Sequence, residues 1–362
     1  MAERLVDQFF TRDSLAALAE ALYQAWPEFE RERFLARVYA AGWEGLALKA
    51  RMRRTTEAMY ATLPQDYAPA LDILQQAAPQ VRGFEAMCFP DYIELYGRQD
   101  WQRSLPALAF FTRFGSSEFA VRPFLDEDPL RALAYLLEWA ENGNEHVRRL
   151  ASEGCRPRLP WAMALPKFKD DPTPILPVLD KLKDDPSEYV RRSVANNLND
   201  ISKDHPELVL DLAESWYGRS ERTDWIVRHA LRGLLRAGNR RALRLFGFAA
   251  PQYLQISNLR LNPQRVPIGE SLVLAYDLKV SGDQPQLVRL EYAVDYLKAR
   301  GNHSRKIFQH SEKSYAPGMH RLEKNHSFAE RTTRKHYPGK HHLAVLVNGV
   351  EQARIDFWLE EA

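Results

Sequence analysis

The chain has 362 residues, 45% of them apolar and 27% charged, with a formal charge of +2. That length suits two domains, since one apolar core usually stops growing between about 100 and 250 residues. The composition is that of a globular chain; no stretch approaches the roughly 18 uninterrupted apolar residues of a membrane span, and two cysteines exclude a disulfide framework.

The first segment, MAERLVDQFFTRDS, mixes acids with bases and lacks a continuous apolar run, so a secretory signal is not expected and a cytoplasmic location is. From residue 13 to about 250 the pattern predicts helix after helix. In DEDPLRALAYLLEWAENG, Asp128 is placed to cap, Pro129 sits in the first turn, and Leu130, Leu133, Leu137 and Ala140 follow at three- or four-residue spacing before Asn142-Gly143. Further helices are expected at 144–153, about 173–183, 186–201, 206–217 and 223–237. Asp185 and Glu188 have capping-box spacing, and Val190, Val194, Leu198 and Ile201 form one stripe.

The segments NEHVRRLASEG, SEYVRRSVANNL and TDWIVRHALRGLL align on Val147, Val190 and Val227, at intervals of 43 and 37 residues. That is close to the roughly 40-residue period of HEAT-type helical pairs, which stack into a solenoid. Stacking lines up Arg148, Arg191 and Arg228 in one row and Arg149, Arg192 and His229 in another. Trp216 and Trp225 fall on apolar stripes and are expected in the core.

After Gly247 the period changes. YLQISNLRL, SLVLAYDLKV, VRLEYAVDYL and HHLAVLVNGV are β-branched and aromatic, and Pro263, Gly269, Ser281-Gly282-Asp283 and Asn348-Gly349 punctuate them. The expectation is an all-α HEAT-like solenoid over 1–250, followed by a small all-β immunoglobulin-like sandwich over 251–362. Between Lys298 and His341 stand eleven lysines and arginines against three glutamates, so the rest of the chain is net acidic. The block is either a long excursion or strands too polar to place. It suits a polyanion, and its six histidines are expected to add charge below about pH 6.5.

No Gly-rich phosphate loop, His-x-x-x-His pair or Gly-x-Ser-x-Gly elbow is present, and Cys88 and Cys155 lack metal-binding spacing, so neither a metal nor a cofactor is expected. A helical solenoid with basic rows is compatible with binding a protein, RNA or DNA. SSEFAVRPFL (116–125), RRLASEGCRPRLPW (148–161) and VRRSVANNLNDISKDHP (190–206), with GWEGLALKARMRRTTEAMYATLPQDY near the N-terminus, narrow this. They resemble AlkC-type 3-methyladenine DNA glycosylases, relatives of the AlkD-type enzymes in a HEAT-like repeat superfamily. The β domain is similar to the Ig-like appendage of some members.

The resemblance implies base excision repair: hydrolysis of the N-glycosidic bond of cationic alkylated bases in double-stranded DNA, with 3-methyladenine first and 3-methylcytosine or 1-methyladenine as further candidates. It implies that Glu153 and Asp200 face the lesion nucleotide, with Glu118 beside them. A base alkylated on a ring nitrogen leaves as a neutral molecule, so fixed carboxylates that stabilise an oxocarbenium-like sugar and align water suffice. Read alone, any one of these acids is an ordinary surface ion pair. Trp161 is either an indole that lies against the cationic base or a core clamp between helices. Arg148, Arg149, Arg156, Arg158, Arg191, Arg192 and Arg228 are the candidate phosphate contacts. The rival reading is a non-catalytic HEAT scaffold, and the β domain is open to reading as an independent adhesion or carbohydrate module. Neither a membrane nor an obligate protein partner is expected.

Overall fold

The computed structural model describes residues 8–330 and 335–361, so Arg331 and Arg334 of the basic block lie outside the described residues. Two compact units emerge: one takes the chain through Val209 together with Ser215–Ala230, the other Leu210–Glu214 together with the chain from Leu231 onward.

Helices build the first unit: α1 (Arg12–Ala25), α2 (Arg31–Val38), α3 (Leu48–Tyr60), α4 (Tyr67–Ala77), α5 (Cys88–Tyr96), α6 (Trp101–Phe111), α7 (Arg122–Glu127), α8 (Pro129–Trp139), α9 (Glu145–Gly154), α10 (Pro166–Asp170), α11 (Leu176–Lys181), α12 (Glu188–Ile201) and α14 (Glu221–Ala230). Helix α13 (Pro206–Trp216) is shared between the units. Val147, Val190 and Val227 are buried at matching points of α9, α12 and α14, which pack side by side as the repeat requires.

Local details depart from the expected pattern. Asp128 caps α8 by accepting the Arg131 N–H at 3.1 Å, but Leu130 is 76% exposed and the buried face runs through Ala132, Leu133, Leu136 and Trp139. The expected helix over 173–183 begins as a 3-10 turn, Thr173–Ile175, before α11. Ser187, not Asp185, occupies the N-cap of α12 and makes no side-chain cap bond. Asp185 instead accepts from the Ser187 N–H and takes a bidentate Arg148, a stronger partner than a helix end. The helix expected over 223–237 breaks after Ala230, and α15 (Arg232–Arg236) and α16 (Arg240–Leu245) belong to the second unit.

That unit carries β1 (Leu254–Asn262), β2 (Arg265–Pro267), β3 (Ser271–Val280), β4 (Gln286–Leu297), β5 (His303–Tyr315), β6 (Gly318–Ser327), β7 (Gly339–Val347) and β8 (Val350–Glu360). They form a three-stranded sheet, β1-β3-β6, and a five-stranded sheet, β2-β8-β7-β4-β5, in which only β2 and β8 pair in parallel. Alternate residues Leu272, Leu274, Tyr276 and Leu278 of β3 and Val288, Leu290, Tyr292 and Val294 of β4 fill one shared core, the period-two burial of a sandwich. The basic block is therefore largely two strands, β5 and β6.

With a boundary expected at 250/251, the compact units instead divide after Ala230, and α15 and α16 group with the strands. The reason is close backbone contact. Gly238, in the α15–α16 turn, and Gly349, in the β7–β8 turn, approach so nearly that a Cβ on Gly349 would lie 2.4 Å from the Gly238 Cα. Asn348 adds a bond from Nδ2 to the Ala249 carbonyl at 2.8 Å.

Candidate active site

Three segments singled out by sequence meet in the first unit. Helix α9 places Arg149 and Glu153 one turn apart, so their side chains share a face. Gly154 then lets α7 approach, since a Cβ there would lie 2.6 Å from Val121 Cγ1. The chain turns, and Arg156 comes back under Glu153 to reach Asp200 on the neighbouring α12.

The result is a line of alternating charges. Arg149 pairs with Glu118, and its Nη2 lies 3.4 Å from Glu153 Oε1. Arg156 Nη1 donates to Glu153 Oε1 at 2.6 Å, its Nε to Asp200 Oδ2 at 2.9 Å, and Lys203 Nζ to Asp200 Oδ1 at 2.9 Å. Ser193 Oγ donates to Glu153 Oε2 at 2.6 Å, and Ser116 bonds both Glu118 and Arg149. Glu153 and Asp200 are buried, while Glu118 is half-buried. Burial opposes charge on Arg149 and Arg156, yet the acids beside them more than offset it and hold both guanidinium pKa values above their ordinary range. These are not the surface ion pairs that an isolated acid suggests.

Trp161 lies outside the core. Its side chain is 64% exposed, on a loop where its own φ is +65°. A left-handed conformation costs a non-glycine residue about 1–2 kcal/mol. Charge-assisted bonds oppose that cost. Lys49 Nζ donates to the Trp161 carbonyl at 2.7 Å, and Arg122 Nε donates to the Met163 carbonyl at 2.7 Å. A second exposed aromatic, Tyr189 at the start of α12, carries Arg149 over its ring at 5.1 Å. Sequence reading missed Tyr189; the available signal was an aromatic on the polar side of a helix whose apolar stripe was already complete.

The candidate arginines separate by what they hold. Arg148 grips Asp185 through Nε and Nη2 and the carbonyls of Asn142 and Gly143 through Nη1. Arg191 gives Nη1 to the Asp185 and Pro186 carbonyls. This row braces the turns between repeats. Arg149 and Arg156 are enclosed by acids, as described. Arg158 chelates Asp204 with a third of its side chain exposed, Arg192 pairs with Glu188 while mostly exposed, and Arg228 is exposed. Trp216 is core as expected, whereas Trp225 is only half-buried, stacked on His229 at 5.2 Å.

Asp91, also unforeseen, is buried on α5 and lines a small cleft with Met52, Glu94, Ser116 and Phe119, the same Ser116 that bonds Glu118. Burial pushes its carboxyl up to about 6 despite Arg53 at 3.0 Å. Both thiols are buried, and burial raises Cys155 to about 12 and Cys88 well above the usual thiol range. In the β unit Arg305 pairs with Asp295 and Glu351, and Lys340 with Asp356. Burial lowers the His310 and His341 pKa values, so these two take up charge at lower pH than the block's histidines were expected to. Among the described residues no cluster of His, Cys, Asp and Glu suits a metal ion, and no helix is long and apolar enough to cross a membrane.

Residues 99–234 match a family model described as DNA alkylation repair enzyme, and residues 255–361 match the C-terminal Ig-like domain of the uncharacterised protein YhaZ. Over 354 residues the chain is 46% identical to the uncharacterized protein YhaZ of Bacillus subtilis, covering 97% of this chain and 98% of that one. The alkylpurine DNA glycosylase AlkC of Pseudomonas fluorescens, solved bound to DNA containing an abasic site analog, is similar with a TM-score of 0.94 and 41% identity, covering 99% of this chain and 100% of that one.

Proposed function

Because the chain belongs to the family of AlkC and YhaZ, it is a DNA glycosylase of alkylation repair, and we propose that the cluster around Glu153 and Asp200 cleaves the N-glycosidic bond of bases made cationic by alkylation. 3-Methyladenine in double-stranded DNA is the first substrate to test, with 3-methylcytosine and 1-methyladenine beside it. The observation that carries the assignment is the line Glu118–Arg149–Glu153–Arg156–Asp200, each acid held by a guanidinium and the whole largely buried.

The chemistry asks little of a proton donor. The alkylated base departs neutral, and the sugar becomes positive as the bond stretches. Carboxylates already fixed by guanidinium and serine partners meet that charge without reorganising, which is the economical form of electrostatic catalysis. In this reading the same acids also align the attacking water. Trp161 offers a π face to the cationic base, an attraction of about 0.5–2 kcal/mol that a neutral base forgoes. Arg149 and Arg156 serve the acids; phosphate contacts fall to the solvent-facing Arg158, Arg192 and Arg228, which fix register without reading sequence.

Glu153→Gln and Asp200→Asn preserve shape and remove charge. Each is expected to slow single-turnover release of 3-methyladenine at saturating protein by about tenfold to a thousandfold, with DNA binding retained. Wild-type rates in both variants would assign the acids to structure, and the absence of release by wild-type protein with binding intact would favour a DNA-binding scaffold.

A further inference from the structure

Among the described residues Arg122 is the largest fully buried side chain, and the chemistry above does not use it. Its guanidinium forms no salt bridge among the described residues. It gathers backbone carbonyls instead: Nη1 donates to Gly154 and Arg156, both at 2.9 Å, and Nε to Met163 at 2.7 Å. Nη2 meets no hydrogen-bond partner among the described residues. Burial lowers its pKa to about 10, so at neutral pH the carbonyls still see a full cation.

The three carbonyls are not scattered. Two precede the Trp161 loop and one follows it, so one planar group pins both ends of the segment that presents the indole. Arg122 itself opens α7, four residues after Glu118. Lys49 ties the same two places from another helix. Its Nζ donates to the Trp161 carbonyl at 2.7 Å and lies 4.5 Å from the ring centre of Phe119, the residue after Glu118.

We infer that Arg122 and Lys49 are positioning residues, a clasp of two cations that fixes the stance of the Trp161 indole against the Glu118 turn and so governs excision of a cationic base. The functional half of this rests on the glycosylase reading above; the clasp itself does not. Apart from the clasp, the segment is tied by the Arg158–Asp204 pair at its start and by backbone bonds from Leu165 N–H to Pro157 at 3.2 Å and from Ala162 N–H to Leu159 at 3.4 Å.

The test uses the full chain and two readouts. Lys49→Met removes an exposed amine, so folding is expected to survive; Arg122→Lys keeps the charge and loses the fork. In hydrogen-exchange mass spectrometry without DNA, both variants are expected to speed exchange over residues 157–165 by about fivefold or more, with α12 unchanged. In single-turnover release of 3-methyladenine from methylated duplex, Lys49→Met is expected to slow the rate about three- to tenfold in the native background but less than about twofold when Trp161→Ala is already present. Unchanged exchange over 157–165 overturns the clasp. Equal slowing with and without the indole overturns its action through Trp161, since a general loss of stability would act in both backgrounds. If the wild-type protein releases no base, the glycosylase reading fails while the exchange experiment still decides the clasp.

Discussion

At the scale of single residues, Asp91 shows what burial does to a carboxylate that has one cation for company. Its pKa is raised from 3.8 to about 6 because burial outweighs Arg53. Between those values the folded chain keeps a proton that the unfolded chain has released. Asp91 therefore favours folding at low pH, and that contribution is lost as pH rises through about 4 to 6. At about 1.4 kcal/mol per unit, the loss comes to about 3 kcal/mol. Asp91→Asn removes it, so denaturant melts should show the variant gaining stability relative to wild type between pH 4 and pH 7 by about that amount. A constant difference across the range would contradict the assignment. Sequence inspection gave no warning of this group, since CFPDYIELY reads as a helix with an acid on it; the raised pKa depends on how α5 is covered by its neighbours.

At the scale of elements, the aligned triplets Val147-Arg148-Arg149, Val190-Arg191-Arg192 and Val227-Arg228-His229 show how far a linear pattern carries. The valines predicted the repeat because apolar period survives any detail of packing, and all three are buried. Function was less legible, because in the first triplet the two arginines face different surroundings. Arg148 holds the turn before α12, while Arg149 enters the line of acids. Adjacent positions on a helix diverge by about 100°, so identical residues take unrelated roles. Arg148→Met should cost about 2–4 kcal/mol in thermal or denaturant melts, because Asp185 is left buried and unpaired. It should leave the slope of log K for DNA against log salt unchanged. A fall in that slope without loss of stability would return Arg148 to the phosphate contacts.

Strands β5 and β6 were illegible for a related reason. The positions that face inward include His310 and His326, satisfied by Tyr276 at 2.6 Å and by Tyr292 and Tyr296 at 2.9 and 2.8 Å. A hydrogen-bonded histidine is at home in a core but invisible to hydropathy. What hydropathy also missed is how much of the basic block is already neutralised within the sheet by Asp295, Glu351 and Asp356.

At the scale of the whole molecule, the proposed division is between a helical unit that does chemistry and a β unit that adds affinity through the lysines and arginines of β5 and β6. Replacing Lys306, Lys313, Arg321 and Lys324 together by Gln should weaken DNA binding and lower the magnitude of the salt slope by about 0.9 for each phosphate no longer neutralised. An unchanged slope would give the β unit another task, an independent binding module among them. Single-turnover excision at saturating protein should hardly change in that variant.

The line from Glu118 to Lys203 contains as many cations as anions, and on the proposed reading this is how three acids coexist with a polyanionic substrate. A balanced row of alternating charges has no monopole, so its potential dies away much faster with distance than that of a lone carboxylate. A duplex farther away than the row is long meets little net repulsion from it. Only an atom admitted between its members, such as a sugar carbon turning positive, feels one carboxylate more than its neighbours. The cluster is thus silent at long range and strongly polar at contact.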